Sequence, residues 1–227
     1  STNNATINLS AVAAGVGGFA VTGSSTNMTV GVSVSNAGDV NGDGLADLIV
    51  GAPNSNLASS ADGGYSYVVF GKTDNSIINL SAVAMGAGGF AINGQDERDY
   101  SGYSVSGAGD VNGDGLADLI VGAPSDFSDG VSQVGKSYVV FGKTTVSAIE
   151  LSSIATSNNG FAIHGQSAGD ASGKSISNAG DVNGDGLSDL IVGAPLSDPA
   201  GGLNAGRSYV VFGKTSSENV VLSAVAE

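Results

Sequence analysis

The sequence predicts an all-β fold, a β-propeller built from three copies of one four-stranded antiparallel unit, and three observations carry that expectation. The first is a repeat. Asp39, Asp110 and Asp181 stand 71 residues apart, as do Phe19, Phe90 and Phe161, and Phe70, Phe141 and Phe212, with no insertion or deletion between copies. A fixed period of this size marks an array of supersecondary units. The second is the character of the apolar runs, which are short, β-branched or aromatic, and stopped by Gly, Asn, Asp or Pro, with no long helical periodicity. The third is that each unit holds four such runs in the same order, head to tail, as propeller blades do. The units span approximately residues 1–71, 72–142 and 143–213 of the 227, in one domain without an internal linker. Residues 214–227 begin a fourth copy, Leu222-Ser223-Ala224-Val225-Ala226 repeating Leu9-Ser10-Ala11-Val12-Ala13.

Within a unit, strand one is expected at residues 103–106, where apolar and small polar side chains alternate, and it leads straight into an acidic loop. Strand two, 118–121, is a buried apolar run ended by Gly122-Ala123-Pro124. Strand three, 137–141, is nearly unchanged at 66–70 and 208–212. Strand four, 160–164, is approached through residues 151–155, expected to make one helical turn behind a Ser cap.

The loop between strands one and two carries the chemistry. Asp39-Val40-Asn41-Gly42-Asp43-Gly44-Leu45-Ala46-Asp47 places side-chain oxygens at positions 1, 3, 5 and 9, and it recurs from Asp110 to Asp118 and from Asp181 to Asp189. Hard cations such as Ca²⁺ take six to eight oxygens at about 2.3–2.6 Å, which such alternation can point inward. The expected ligands are the side chains of Asp39, Asn41, Asp43 and Asp47, with the Leu45 carbonyl at position 7 and Gly44 supplying the turn. The same set is Asp110, Asn112, Asp114, Leu116 and Asp118 in the second unit, and Asp181, Asn183, Asp185, Leu187 and Asp189 in the third, hence three Ca²⁺ per chain. The loop is not an EF-hand, since position 12 is Val50 where that motif has Glu, and a strand follows instead of a helix.

These residues resemble the FG-GAP repeat of integrin α-subunit propellers and of bacterial integrin-like proteins, most closely from Ser104 through the 110–118 loop to Gly122-Ala123-Pro124. The likeness covers all three units. It departs where the naming Phe-Gly is Val30-Gly31, Ser101-Gly102 and Ser172-Gly173, and in number, because propellers of that family are typically seven-bladed. The resemblance implies Ca²⁺ at the strand one to strand two loops, and a role in adhesion or recognition at the cell surface or outside the cell.

Composition narrows the alternatives. The formal charge is −14, and nine of the 21 acidic residues are loop aspartates, so three bound Ca²⁺ would bring the net to −8. An acidic surface disfavours nucleic acid, and no apolar run is long enough for membrane insertion. Cysteine is absent, which removes disulfides and thiolate sites. No enzyme is expected. The only histidine, His164, aligns with Asn93 and Thr22 in ordinary strand-four positions, and Ser172-Gly173-Lys174-Ser175 belongs to strand one.

Assembly and recognition follow from the phasing. The chain opens on a strand four around Phe19 and ends after the third strand three, so the third blade lacks its outer strand. Phe19 is expected to pack on that blade, in the same chain or in a twofold partner, where a homodimer would close six blades; the competing reading is a segment of a longer array. A protein or glycan ligand is expected on the face opposite the acidic loops. That face carries the variable segments 54–64, 125–134 and 196–205 after strand two, and 24–29, 95–100 and 166–171 after strand four. A carbohydrate-binding, lectin-like propeller is the alternative function. The sequence has no Trp, and Tyr100 and Phe127 occur on those loops in one unit only.

Overall fold

The structure is a computed structural model and describes residues 6–23, 28–55, 63–96, 98–124, 134–199 and 202–225. Its elements in chain order are α1 (Leu9–Ala13), β1 (Val21–Thr22), β2 (Ser33–Gly38), β3 (Asp47–Ala52), β4 (Tyr65–Val69), β5 (Ile78–Asn79), α2 (Leu80–Ala84), β6 (Gly89–Asn93), β7 (Ser104–Gly109) and β8 (Asp118–Ala123). There follow β9 (Lys136–Val140), β10 (Ile149–Glu150), a 3₁₀ turn (Leu151–Ser153), β11 (Gly160–His164), β12 (Ser175–Gly180), β13 (Asp189–Ala194), β14 (Arg207–Val211), β15 (Val220–Val221) and α3 (Leu222–Val225).

Each blade is an antiparallel meander, as the repeat predicts. The first is ordered β2-β3-β4-β6 and the second β7-β8-β9-β11. The third has β12-β13-β14 alone among the described residues. The first strands stand side by side, β2 and β12 each packing against β7.

A fifth strand, for which the sequence reading had no place, joins the units. β10 pairs in parallel with the outer edge of β6, and β15 with β11, so each blade is finished by two residues from the following repeat. β1 and β5 make the same pair one unit earlier. Strands one and two also run longer than expected, to Gly109 and Ala123. The helical turn is capped by Asn, not Ser. Asn8 and Asn79 each accept a hydrogen bond through Oδ1 from the backbone N–H two residues on, and the third turn, behind Glu150, has no side-chain cap.

The core lies between blades. One apolar layer joins Val40, Ile49, Val68 and Phe90 of the first blade to Val105, Leu119, Tyr138 and Val140 of the second. The next joins Val111, Ile120, Val139 and Phe161 to Leu190, Val192, Tyr209 and Val211. The blades approach closely enough that a Cβ on Gly122 would stand 2.1 Å from the Gly173 carbonyl oxygen, so the junction requires glycine there. The outermost faces lack this cover. Val40 and Val111 are fully buried, while the equivalent Val182 is 59% exposed; Val34 is 65% exposed where Val105 is 6%.

The same-chain form of the closure expectation is corrected. Phe19 lies half-buried beneath the Lys72 ammonium, 4.5 Å from the ring centroid, in the first unit and not on β14. The reason is the repeat itself: Lys143 covers Phe90 and Lys214 covers Phe161 in the same way, so strand four is claimed by the lysine of the following repeat.

Candidate metal centre

Each acidic loop begins at a β-bulge. The β7–β8 register shifts between Gly107 and Gly109, and Gly109 takes φ of 74°, a left-handed conformation that glycine adopts without strain. The bulge re-aims the chain so that Asp110 faces into the turn that follows. Its Oδ1 accepts hydrogen bonds from the N–H groups of Gly113 (2.7 Å) and Asp114 (3.1 Å), and its Oδ2 from Gly115 (2.9 Å). Asn112 Oδ1 accepts from the Asp114 N–H and its Nδ2 donates to Asp114 Oδ2, both at 2.8 Å, and Asp114 Oδ1 accepts from the Leu116 N–H. The 39–47 and 181–189 loops repeat every one of these bonds.

The structure thus brings positions 1, 3 and 5 together at an exposed loop mouth and places position 9 apart from them, at the base. Asp118 is buried; Oδ2 accepts from the Val111 N–H and Oδ1 from the Gly142 N–H, each at 2.8 Å. Asp47 ties Val40 to Gly71, and Asp189 ties Val182 to Gly213, in the same manner. These aspartates therefore pin the loop to the end of strand three, a role the sequence reading missed. The signal for it was present in the Phe-Gly-Lys triplet at 70–72, 141–143 and 212–214, whose glycine supplies the second N–H.

The Leu116 side chain turns out of its own loop and lies against Gly42 of the preceding one, and Leu187 lies against Gly113. Neighbouring loops are also joined by backbone bonds, the Ala117 N–H to the Asp39 carbonyl and the Ser188 N–H to the Asp110 carbonyl. The loops are thus linked in series along one face.

Burial raises the Asp118 carboxyl to about 7; desolvation is the main cause, the charges of Asp114 and Asp110 add to it, and the two N–H donors oppose it. Burial pushes Asp47 up as well. Among the described residues no group of three or more acidic or imidazole side chains is gathered to hold a metal ion, because the loop oxygens are turned onto the loop's own N–H groups. The donor chemistry nevertheless fits a hard divalent cation. It is oxygen throughout, Asp110 Oδ2 and both oxygens of Asp114 and of Asp118 accept one hydrogen bond each and keep a lone pair, and only neutral N–H donors stabilise the buried Asp118 charge in its surroundings as described.

The segments expected to recognise a ligand are described only in part, since residues 24–27, 56–62, 97, 125–133 and 200–201, with Phe127 among them, lie outside the described residues. Where they are described they are tethered. Gln95 Oε1 accepts from Tyr138 Oη, and Gln166 Oε1 accepts from Tyr209 Oη and Arg207 Nη1. His164 sits half-buried on β11, in register with Lys136 and Val221.

Antiparallel meanders set side by side through their first strands, two of them four-stranded, with an acidic turn between strands one and two of each, define a repeat protein of propeller-blade architecture. The FG-GAP repeat matches residues 30–69, 101–140 and 172–211, and the chain belongs to that family. It is 34% identical to integrin alpha pat-2 of Caenorhabditis elegans over 189 residues, which is 82% of this chain and 15% of that protein. It is 29% identical to integrin alpha-PS2 of Drosophila melanogaster over 205 residues, 84% of this chain and 14% of that one. It is 31% identical to phosphatidylinositol-glycan-specific phospholipase D of Homo sapiens over 181 residues, 74% of this chain and 19% of that enzyme. The chain thus spans less than a fifth of each of these relatives.

Proposed function

We propose that the chain is a non-enzymatic, calcium-binding propeller module for cell adhesion or protein recognition, working at the cell surface or outside the cell. The observation that carries the reading is the loop itself, built three times from the same oxygen-bearing residues with the same internal bonds, one per blade. Asp110, Asn112, Asp114 and the Leu116 carbonyl would hold the ion with Asp118, and the ion would supply the positive charge that a buried carboxylate requires. The names of the integrin alpha relatives support adhesion or recognition. The activity in the phospholipase D relative's name is not carried over, because the match covers only 19% of that enzyme.

Calcium titration followed by melting tests the reading. Three ions per chain are expected, and at free Ca²⁺ of 100 times the dissociation constant each site adds about 2.7 kcal/mol. Identical melting in EDTA and in millimolar calcium would refute it.

Assembly rests on a separate observation, the two uncovered faces. The exposed Val182, Ile191 and Val210 of the third blade occupy the positions that are buried in the first and second, and the exposed Val34 and Leu48 of the first blade those buried in the second and third. The internal junctions show how two such faces mate, so the proposed occupant is a second copy of the chain, closing six blades. Light scattering on the full chain should return a dimer. A monomeric mass at high concentration would overturn this assignment and favour further blades on a longer chain.

A further inference from the structure

A groove of about 830 Å³ lies beside the 110–118 loop of the second unit. Residues 215–219, which lead from the third blade to β15, also line it, as do Ala155, Asn158 and Asn159 of the turn before β11 and the Phe141 ring. The lining is rich in amides and hydroxyls, from Asn112, Asn158, Asn159, Ser216, Ser217 and Asn219. The preceding unit shows that the fold does not demand this. At the equivalent places beside the 39–47 loop stand Ala87, Gly88, Val146 and Ala148 in place of Asn158, Asn159, Ser217 and Asn219.

The backbone has been rebuilt along with the side chains. After α2 the chain turns through Gly86 and Gly88, at φ of 88° and 72°, with the Ala87 N–H bonded to the Ala82 carbonyl. In the third unit the helix becomes a 3₁₀ turn, the Ser157 N–H bonds to the Ser153 carbonyl, and Asn158 takes the left-handed conformation at φ of 56°. Asparagine tolerates that region better than most residues, though less well than glycine. Its Oδ1 accepts a 3.0 Å hydrogen bond from Ser217 Oγ, which joins the two parts of the wall.

The charge is also selective. Asp114 and Glu218 lie in the lining, while the Lys214 ammonium is turned onto the Ser216 and Glu218 carbonyls and lies 4.0 Å from the centroid of the Phe161 ring. An anionic ligand would meet carboxylates there. A planar amide presents a donor and an acceptor side by side, which suits adjacent hydroxyls, and a phenyl ring suits the C–H face of a sugar. We propose that this groove binds a neutral polyhydroxylated ligand, a saccharide, on the same face as the acidic loops. The inference rests on the recognition reading and gives it a ligand class; Asn112 and Asp114 belong both to the groove and to the expected calcium site, so binding is measured with and without the ion.

Nuclear magnetic resonance on the labelled full chain tests it, with lactose, maltotriose, chitotriose and mannotriose as probes in calcium buffer and in EDTA, the sulfated comparison being made in EDTA. Saturable shifts are expected at the side-chain amides of Asn158 and Asn159 with at least one probe. The double variant Asn158→Gly/Asn159→Gly, compatible with the backbone, should bind about tenfold more weakly through the loss of two hydrogen bonds. Ser217→Val, the residue of the preceding unit, should weaken binding while leaving both amides in place. The proposal is overturned if none of the four probes shifts these amides, if the shifts fall elsewhere, or if the variants bind as tightly as the parent. It is also overturned if a sulfated analogue binds as well as its neutral counterpart. Such a failure would leave the calcium reading intact, because the melting comparison is independent of any saccharide.

Discussion

Moving the calcium-free protein from pH 7 to pH 5 should stabilise it, and the same change should destabilise the calcium-loaded protein. The Asp118 carboxyl, 0% exposed, is raised from 3.8 to about 7, chiefly by burial. A carboxyl raised in this way binds its proton more tightly in the folded chain than in the unfolded one. Its contribution to stability is therefore full at low pH and is lost as pH rises from 3.8 through about 7. Integrated from pH 7 down to pH 5, that one group favours the folded state by about 2 kcal/mol. In a chain of this size the gain corresponds to a rise in Tm of roughly 4–8 °C. Asp47, shifted in the same direction, adds to it. A bound cation reverses the sign, because it holds the carboxylates ionised and each proton taken up then works against the ion. Scanning calorimetry at pH 5, 6 and 7, in EDTA and in millimolar calcium, reads both slopes. Asp118→Asn should flatten the EDTA series. Slopes of the same sign in the two media, or an EDTA slope unchanged by Asp118→Asn, would refute the reasoning.

Gly122→Ala would place a Cβ 2.1 Å from the Gly173 carbonyl oxygen and should destabilise by about 1–3 kcal/mol in denaturant melts. Gly193→Ala, at the same repeat position but with its nearest atom at 3.4 Å, should leave the melt of the monomer nearly unchanged and weaken self-association if a second copy seats there. Lys143→Met removes the ammonium 4.4 Å from the Phe90 centroid and its bond to the Ser147 carbonyl, at a cost of about 0.5–2 kcal/mol read by chemical denaturation. Deleting residues 1–23 takes away α1, β1 and Phe19 and should uncover Tyr65 and Ile78, so the truncated chain is expected to lose its oligomeric state or become aggregation-prone in light scattering. An unchanged mass and Tm would count against that.

The meander and its period were legible from residues alone, because alternation, stop residues and a constant spacing of 71 are properties of the chain written in line. Strand four at residues 160–164 came out with the predicted bounds. The two-residue strands β5, β10 and β15 did not, since two residues carry no period and pair only through an edge offered by the previous blade. The caps are Asn8 and Asn79, each two residues ahead of the serine whose N–H it accepts, so the serines are not the caps that the sequence suggests.

The candidate site divides in the same way. Which oxygens share a loop can be read in line, because positions 1, 3 and 5 are held close by chain connectivity whatever the fold. That Asp47, Asp118 and Asp189 bond to glycines 24 residues further on is a matter of packing, a contact that exists because strands two and three pair and bring strand three's end to the loop. Packing also sets which valines are core. Val40, Val111 and Val182 are identical in local sequence, and two are buried while the third is not, because burial here depends on whether another blade stands alongside.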